Sequence, residues 1–262
     1  MAWETKRVLI TIRTYPVPSF KSLETSCTGG ITQDGKWIRL FPMPYRRLRR
    51  EQQFSKYQWI EARVQKAQND ARPESFNPDR ESIRPVSGVL PSDNQWAERK
   101  KWVFPLKAAS LCALQKARNA NGFPTLGFFK PLEIGRLKIE PDEEDWTPAQ
   151  RQALTQADLF DAAPREELEK IPFKFSYEFS CADPGCGGHD LSCTDWEMSE
   201  SYRKWRQEYG DGWEAPFRQK YEREMIQRFD THFYVGTVHQ HPDAWIIVGL
   251  FYPLPVRQPS LF

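Results

Sequence analysis

Three cysteines and one histidine crowd into one short segment: Cys181, Cys186, His189 and Cys193, spaced C-x4-C-x2-H-x3-C. The chain has only five cysteines, so this is local concentration rather than general usage. Three thiolates and one imidazole are the donor set of a structural zinc site, which takes four tetrahedral ligands. The residues between them suit wrapping around a small ion, because Pro184-Gly185 and Gly187-Gly188 permit tight turns. After the last ligand, Thr194-Asp195-Trp196-Glu197 has the form of a capping box that opens a helix. The expectation is a metal that clips a strand end, after Phe179, to a helix start. With all four positions filled by protein, no place is left for a reactive water, so the site reads as structural, with zinc as its cofactor. Cys27 and Cys112, distant in sequence, read as core residues.

Metal binding by these thiols requires a reducing compartment. No secretory signal opens the chain, and its longest apolar stretch, 244–256, is broken by Gly249, Pro253 and Pro255. The expectation is a cytoplasmic protein with no membrane partner. As a whole, the segment C-x4-C-G-G-H followed by D-W-E resembles one found in an uncharacterised bacterial family. That resemblance implies a zinc segment and names no activity.

Apolar patterning predicts an α+β fold. Residues 7–14 are β-branched and strand-like, Thr28-Gly29-Gly30 reads as a turn, and 31–41 reads as a hairpin with Asp34-Gly35 at its tip. Residues 59–64 alternate like a strand, 45–54 read as a short basic helix, and 68–93 read as loop because of Pro73, Pro78, Pro85 and Pro91. Several short strands in succession predict a small antiparallel β-barrel-like N-terminal half, with the oligonucleotide-binding barrel as one option. Helical spacing covers 107–119, and strands are expected at 126–129 and 134–139. Phe173, Phe175, Tyr177 and Phe179 alternate with polar residues and predict a half-buried strand. Two helices, 195–209 and 213–229, and two closing strands, 233–238 and 245–251, complete a zinc-containing α+β half. The expected division is a basic β-rich domain at 1–139, an acidic linker with one helix at 140–170, the zinc-containing domain at 171–253 and a tail at 254–262.

Net charge is only +2, but residues 1–50 hold ten Lys or Arg against three acids, while 139–170 hold ten acids against three basic residues. A basic lobe is the electrostatic footprint of a nucleic-acid partner. Its candidate contacts are Lys36, Arg39, Arg46, Arg47, Arg49 and Arg50. The competing reading is pairing with acids in the fold. The basic and aromatic residues of the two C-terminal helices are interspersed with Glu208, Glu214, Glu222 and Glu224, which favours local salt pairing there. No phosphate loop or nucleophile elbow is present. The His232, His239, His241 and Asp243 group and the acidic run Glu140, Asp142, Glu143, Glu144 and Asp145 are weaker candidates for metal chemistry.

The chain closes on Gln258-Pro259-Ser260-Leu261-Phe262, or Q-x-S-L-F. This resembles the peptide by which bacterial replication and repair proteins dock on the DNA sliding clamp. The resemblance implies that Leu261 and Phe262 are apolar anchors for a closed pocket, that Gln258 makes the orienting polar contact, and that Ser260 fits between them. The expected function is a DNA-associated binding protein recruited to replicating DNA, in repair, replication control or defence against foreign DNA. Two alternatives belong to other classes. One is a clamp-tethered, metal-dependent nuclease, which requires acidic side chains converging in a pocket beside a Lys or His. The other is a protein-binding adaptor, which would lack salt-dependent binding to nucleic acid.

Overall fold

The computed structural model describes residues 2–20, 23–158, 167–239 and 241–256. Its N-terminal half is a seven-stranded sheet of β1 (Glu4–Arg13), β2 (Val17–Ser19), β3 (Leu23–Thr32), β4 (Trp37–Met43), β5 (Gln58–Lys66), β6 (Ser75–Pro78) and β7 (Arg84–Val89). Five of these strands close on themselves in the order β1-β3-β4-β6-β5, with β5 returning to β1. The closed ring is the expected barrel. One pairing departs from the expected antiparallel pattern: β4 and β6 run parallel. An odd ring cannot alternate direction all the way round, so one parallel pair is unavoidable. This five-stranded Greek-key closure is the layout of the oligonucleotide-binding barrel. Val8, Ile10, Ile38, Leu40, Ile60, Ala62 and Val64 fill its interior, together with Met43, Leu48, Phe54 and Ile83.

Three local expectations change. Gly29 and Gly30 lie inside β3, not in a turn. A Cβ on Gly30 would sit 2.3 Å from the carbonyl oxygen of Leu9, so glycine is what lets β1 and β3 approach. The segment 45–54 forms two 3-10 turns, Tyr45–Arg47 and Arg50–Gln52, instead of a basic helix. The proline-rich stretch contributes β6 and β7, where Pro78 ends one strand and Pro85 lies on the edge of the sheet, the places a strand tolerates proline.

The rest of the chain runs through α1 (Asp93–Val103), α2 (Leu111–Asn121), β8 (Leu126–Phe129), β9 (Glu133–Pro141), α3 (Pro148–Asp158), β10 (Phe173–Ser180), β11 (His189–Ser192) and α4 (Trp196–Tyr209). It continues through α5 (Glu214–Arg218), a π-helical turn at Gln219–Glu224, α6 (Met225–Gln227), β12 (His232–Thr237) and β13 (Trp245–Phe251). Two three-stranded sheets result, β11-β10-β9 and β13-β12-β8. Strands β8 and β9, which patterning assigns to the N-terminal domain, therefore hydrogen-bond to strands of the C-terminal half. Phe175, Tyr177 and Phe179 of β10 are buried, as their alternation predicts, in a core with Phe217 and Tyr221 of the helical hairpin.

A second core belongs to both halves. Ile12, Ile31 and Tyr57 of the barrel pack with Val103, Leu126, Phe128, Tyr234, Val248 and Phe251. The barrel wall is thus covered from outside, and residues 8–12 of β1 are buried on both faces, a continuous buried run, apolar except for Thr11, rather than an alternating one. Asp195, not Thr194, caps α4: its Oδ1 accepts from the amide of Met198 at 3.1 Å. Thr194 instead donates to the carbonyl of Ile247.

Candidate functional site

The donor atoms of Cys112, Cys181, Cys186 and His189 all lie within 4.8 Å of one another and could hold a metal ion. Cys181 follows the end of β10, Cys186 lies in the Pro-Gly loop, and His189 opens β11. Cys112 stands in the first turn of α2, behind the N-cap Ser110. The His189 Nε2 sits 3.3 Å from the Cys112 Sγ and 3.4 Å from the Cys186 Sγ. A tetrahedral ion with metal–sulfur bonds of about 2.3 Å and metal–nitrogen bonds of about 2.0 Å would set these edges at roughly 3.6 Å, so only slight relaxation is needed. Backbone N–H groups of Cys181 and Gly188 hold the Cys186 thiol below its usual range. Burial and the neighbouring thiols of Cys186 and Cys181 push Cys112 up to about 12. Thiols this close cannot all lose their protons unless a cation offsets the charge, which is what a metal would do.

Cys193 is not the fourth ligand. It lies four residues beyond His189, and the strand geometry of β11 carries it roughly 13 Å away. It is buried in the core, its amide donates to the Phe175 carbonyl at 2.7 Å, and burial raises its thiol. The sequence clue to Cys112 is its position in the first turn of a helix, just after a capping serine.

A second constellation joins the two halves. A cleft of about 550 Å³ is lined by residues that include Arg13, Lys56, Tyr57, Trp96, Arg99, Glu197, Lys220 and Tyr252. At its base the Lys56 Nζ bonds Asp195 Oδ2 at 3.1 Å and Glu197 Oε2 at 3.2 Å. Burial opposes the charge on Lys56, but the two carboxylates outweigh it and hold the ammonium well above its usual range. Asp195 has little capacity left, since its Oδ2 also accepts from the amide of Leu250. Glu197 is different: its side chain is 43% exposed, and Lys56 holds its carboxyl low.

The other three cations make no ion pair among the described residues. The guanidinium of Arg13 lies between Tyr45 and Trp196, 4.3 and 4.4 Å from their ring centres. That of Arg99 lies 4.3 Å from Tyr57 and 4.5 Å from Trp96, with its Nε donating to the Leu90 carbonyl. Lys220 lies in the π-helical turn over Tyr221 at 4.9 Å, and burial lowers its pKa. Aromatic faces hold these charges in place without neutralising them. Four cations, Arg13, Lys56, Arg99 and Lys220, meet two carboxylates, Asp195 and Glu197, leaving an excess of two positive charges. Tyr57 and Trp96 both have left-handed backbone, with φ of 62° at each, a conformation that clusters at ligand sites. Nothing in local patterning marks these residues as a group, because they come from six separate stretches of chain.

The expected nucleic-acid contacts fare differently. Arg39 and Arg47 are buried, at 3% and 6% exposure, and cannot reach a phosphate backbone. Arg39 is engaged by Glu74 and the Thr125 carbonyl. Arg46 pairs with Glu24, Lys36 with Asp34, and Arg49 with Glu51 and Glu81. Arg50 is exposed. The six do not form one open basic surface: two are buried, Arg46 and Arg49 meet Glu24 and Glu81 from elsewhere in the fold, and Lys36 pairs with Asp34 of its own hairpin. Arg203, Arg206, Arg218 and Arg228 are paired locally, as their spacing predicts. His232 is buried and stacked on Phe128, while His239 is exposed beside Asp70. Of the acidic run, Asp142 is held by Lys170 and Lys174, and Asp145 by Arg151. The tail residues Gln258, Ser260, Leu261 and Phe262 lie outside the described residues. Among the described residues no helix is long and apolar enough to cross a membrane.

Comparison with curated proteins finds no match. A family model described as a domain of unknown function (DUF8758) matches residues 4–105, the barrel and the whole of α1. A second matches 107–262 and contains all four thiol and imidazole donors, while the cleft takes side chains from both matched regions. The chain, matched over more than half its length by that second model, belongs to the family described as a domain of unknown function (DUF8757).

Proposed function

We propose that this is a nucleic-acid-associated protein of the cytoplasm, zinc-stabilised in its C-terminal half and recruited to replicating DNA by a tail that docks on the sliding clamp. The observation that carries the nucleic-acid reading is the set of cations on aromatic faces, without an ion pair among the described residues, beside a five-stranded Greek-key barrel. Tethering is supported by position. Tyr252 lines the cleft, and the chain beyond it is exposed at Leu254 and Val256, so a partner held by the tail would lie near the cleft. Two weak contacts joined in this way act as one stronger contact through effective concentration. Zinc is the metal favoured by three thiolates and one imidazole in tetrahedral reach.

The test is binding of single-stranded DNA, duplex DNA and RNA across a salt series. Affinity should fall as salt rises, since each phosphate contact releases counterions. Absence of binding at low salt rejects the reading and leaves the protein-binding adaptor. Capture of the purified clamp should require residues 258–262, and Leu261→Ala with Phe262→Ala should abolish it without changing the melting temperature. Elemental analysis of freshly prepared, reduced protein should give one zinc per chain.

One observation favours a nuclease as the second reading: Asp195 and Glu197 converge beside Lys56 and Lys220. With the oxygens of Asp195 engaged, that chemistry would rest on Glu197. Strand cleavage that requires Mg²⁺ or Mn²⁺ and disappears in Glu197→Gln would favour it over a binding role.

A further inference from the structure

We infer that the cleft between the barrel and the C-terminal half receives the terminal phosphate of a nucleotide, with the base against Trp96 and Tyr252; this rests on the nucleic-acid reading above. Charge is the first argument. An internal phosphodiester carries one negative charge, whereas a phosphomonoester carries about −1.5 to −2 near neutral pH. The cleft's excess of two positive charges matches the monoester. Arg99 and Lys220 hold side-chain N–H groups with no acceptor among the described residues, whereas Arg13 gives one N–H to the Phe54 carbonyl at 3.2 Å. A phosphate oxygen is the acceptor these donors suit, and Arg can meet it with two parallel bonds.

Arrangement is the second argument. Arg13 ends β1, Arg99 lies on α1 and Lys220 on the π-helical turn, so the cations enclose a point instead of following a strand. The volume of about 550 Å³ falls in the range of small-ligand sites, roughly 300–1,000 Å³, and is far short of a groove for a long strand. The aromatic wall supplies the third argument. Trp96 and Tyr252 are half-buried, and the Trp96 ring is fixed by edge contacts to Tyr57 at 5.7 Å and Phe251 at 4.9 Å. A preset ring loses little freedom when a base stacks on it. The exposed carboxylate of Glu197 would repel phosphate oxygens and accept from a sugar hydroxyl or base N–H, which orients the nucleotide within the cleft.

The ligand could be a strand end or a free nucleotide, and calorimetry separates the two. Short single strands bearing a 5′- or 3′-phosphate are compared with the same strands bearing hydroxyl ends, and nucleoside monophosphates with nucleosides. At least one phosphorylated form should bind tenfold or more tighter than its hydroxyl counterpart. Arg99→Met and Lys220→Met should each erase that difference, whereas Lys101→Met, on an exposed pair with Glu98, should keep it. A phosphate-dependent gain with strands identifies a strand end, and one with monophosphates alone identifies a free nucleotide. Strands that bind equally with and without the phosphate, together with no binding of monophosphates, overturn this inference while leaving the nucleic-acid reading intact. Monophosphates that bind while no strand does uphold the cleft and reject that reading.

Discussion

The metal centre and the cleft each gather polar groups from distant parts of the chain, but they end in opposite states. The metal centre brings three thiols and an imidazole into tetrahedral reach, so an ion would satisfy every donor at once and leave nothing for a ligand. The cleft leaves three cations without acid partners among the described residues and an exposed carboxylate beside them. A saturated site contributes folding energy, whereas an unsaturated one holds interaction energy in reserve for a ligand. The partner status of a charged group therefore says more about its role than its presence. The arginines at 46, 47 and 49 look more basic in sequence than Arg13, Arg99 and Lys220, yet it is the latter that remain available.

This contrast breaks if metal-ligand variants impair binding alone or if cleft variants impair folding alone. The largest effect is expected from Cys186→Ser or Cys112→Ser. Each should release the metal and melt the C-terminal half, because metal binding there is folding energy, while Cys193→Ala should keep the metal and lose only the stability of a filled core position. Metal content and thermal unfolding check this. If Cys193→Ala releases the metal and Cys112→Ser does not, the ligand set drawn here is wrong.

Lys56→Met comes next, as the one cleft cation that is fully paired. It would leave Asp195 buried and uncompensated and should cost about 3–5 kcal/mol in denaturant unfolding. A loss under 1 kcal/mol would mean that the barrel and the C-terminal half do not depend on this contact.

Acid weakens metal–thiolate sites, so a second source of pH dependence has to be separated from it. Burial holds His232 down to about 4, with the Asp230 carbonyl acting in the opposite sense. Because its folded pKa lies below the unfolded value, its contribution is full above about pH 6.5. It declines as pH falls and is gone below the folded value, for a total of roughly 3 kcal/mol. Unfolding free energies at pH 7 and pH 5 should converge in His232→Phe, apart from the metal contribution. An unchanged slope in that variant assigns the acid sensitivity to the metal centre.

The smallest effect is Arg99→Met, about tenfold in affinity for a phosphorylated ligand, equivalent to about 1.4 kcal/mol, with stability altered by less than about 1 kcal/mol. A larger loss of stability than of affinity would move Arg99 into the structural class.

What short-range geometry controls was legible along the chain. Cys181, Cys186 and His189 lie close enough for two glycine turns to bring them together, β10 shows its buried face by alternation, and α4 and the helix after it follow from their periodicity. The barrel was legible as a run of short strands, although its parallel pair follows only from closing an odd ring. The tail motif is sequence information alone. Tertiary structure decided the rest. Cys112 joins the metal centre because α2 docks its N-terminus on the end of β10, while a rigid strand carries Cys193 away despite its shorter separation in sequence. Which arginines stay available depended on acids delivered from elsewhere in the fold: Glu24 reaches Arg46 and Glu81 reaches Arg49, while among the described residues none pairs with Arg13 or Arg99. Local turns and periodicities act over a few residues and can be read along the chain. Ion pairing and cleft formation act through space, and only the packing of the barrel against the C-terminal half fixes those distances.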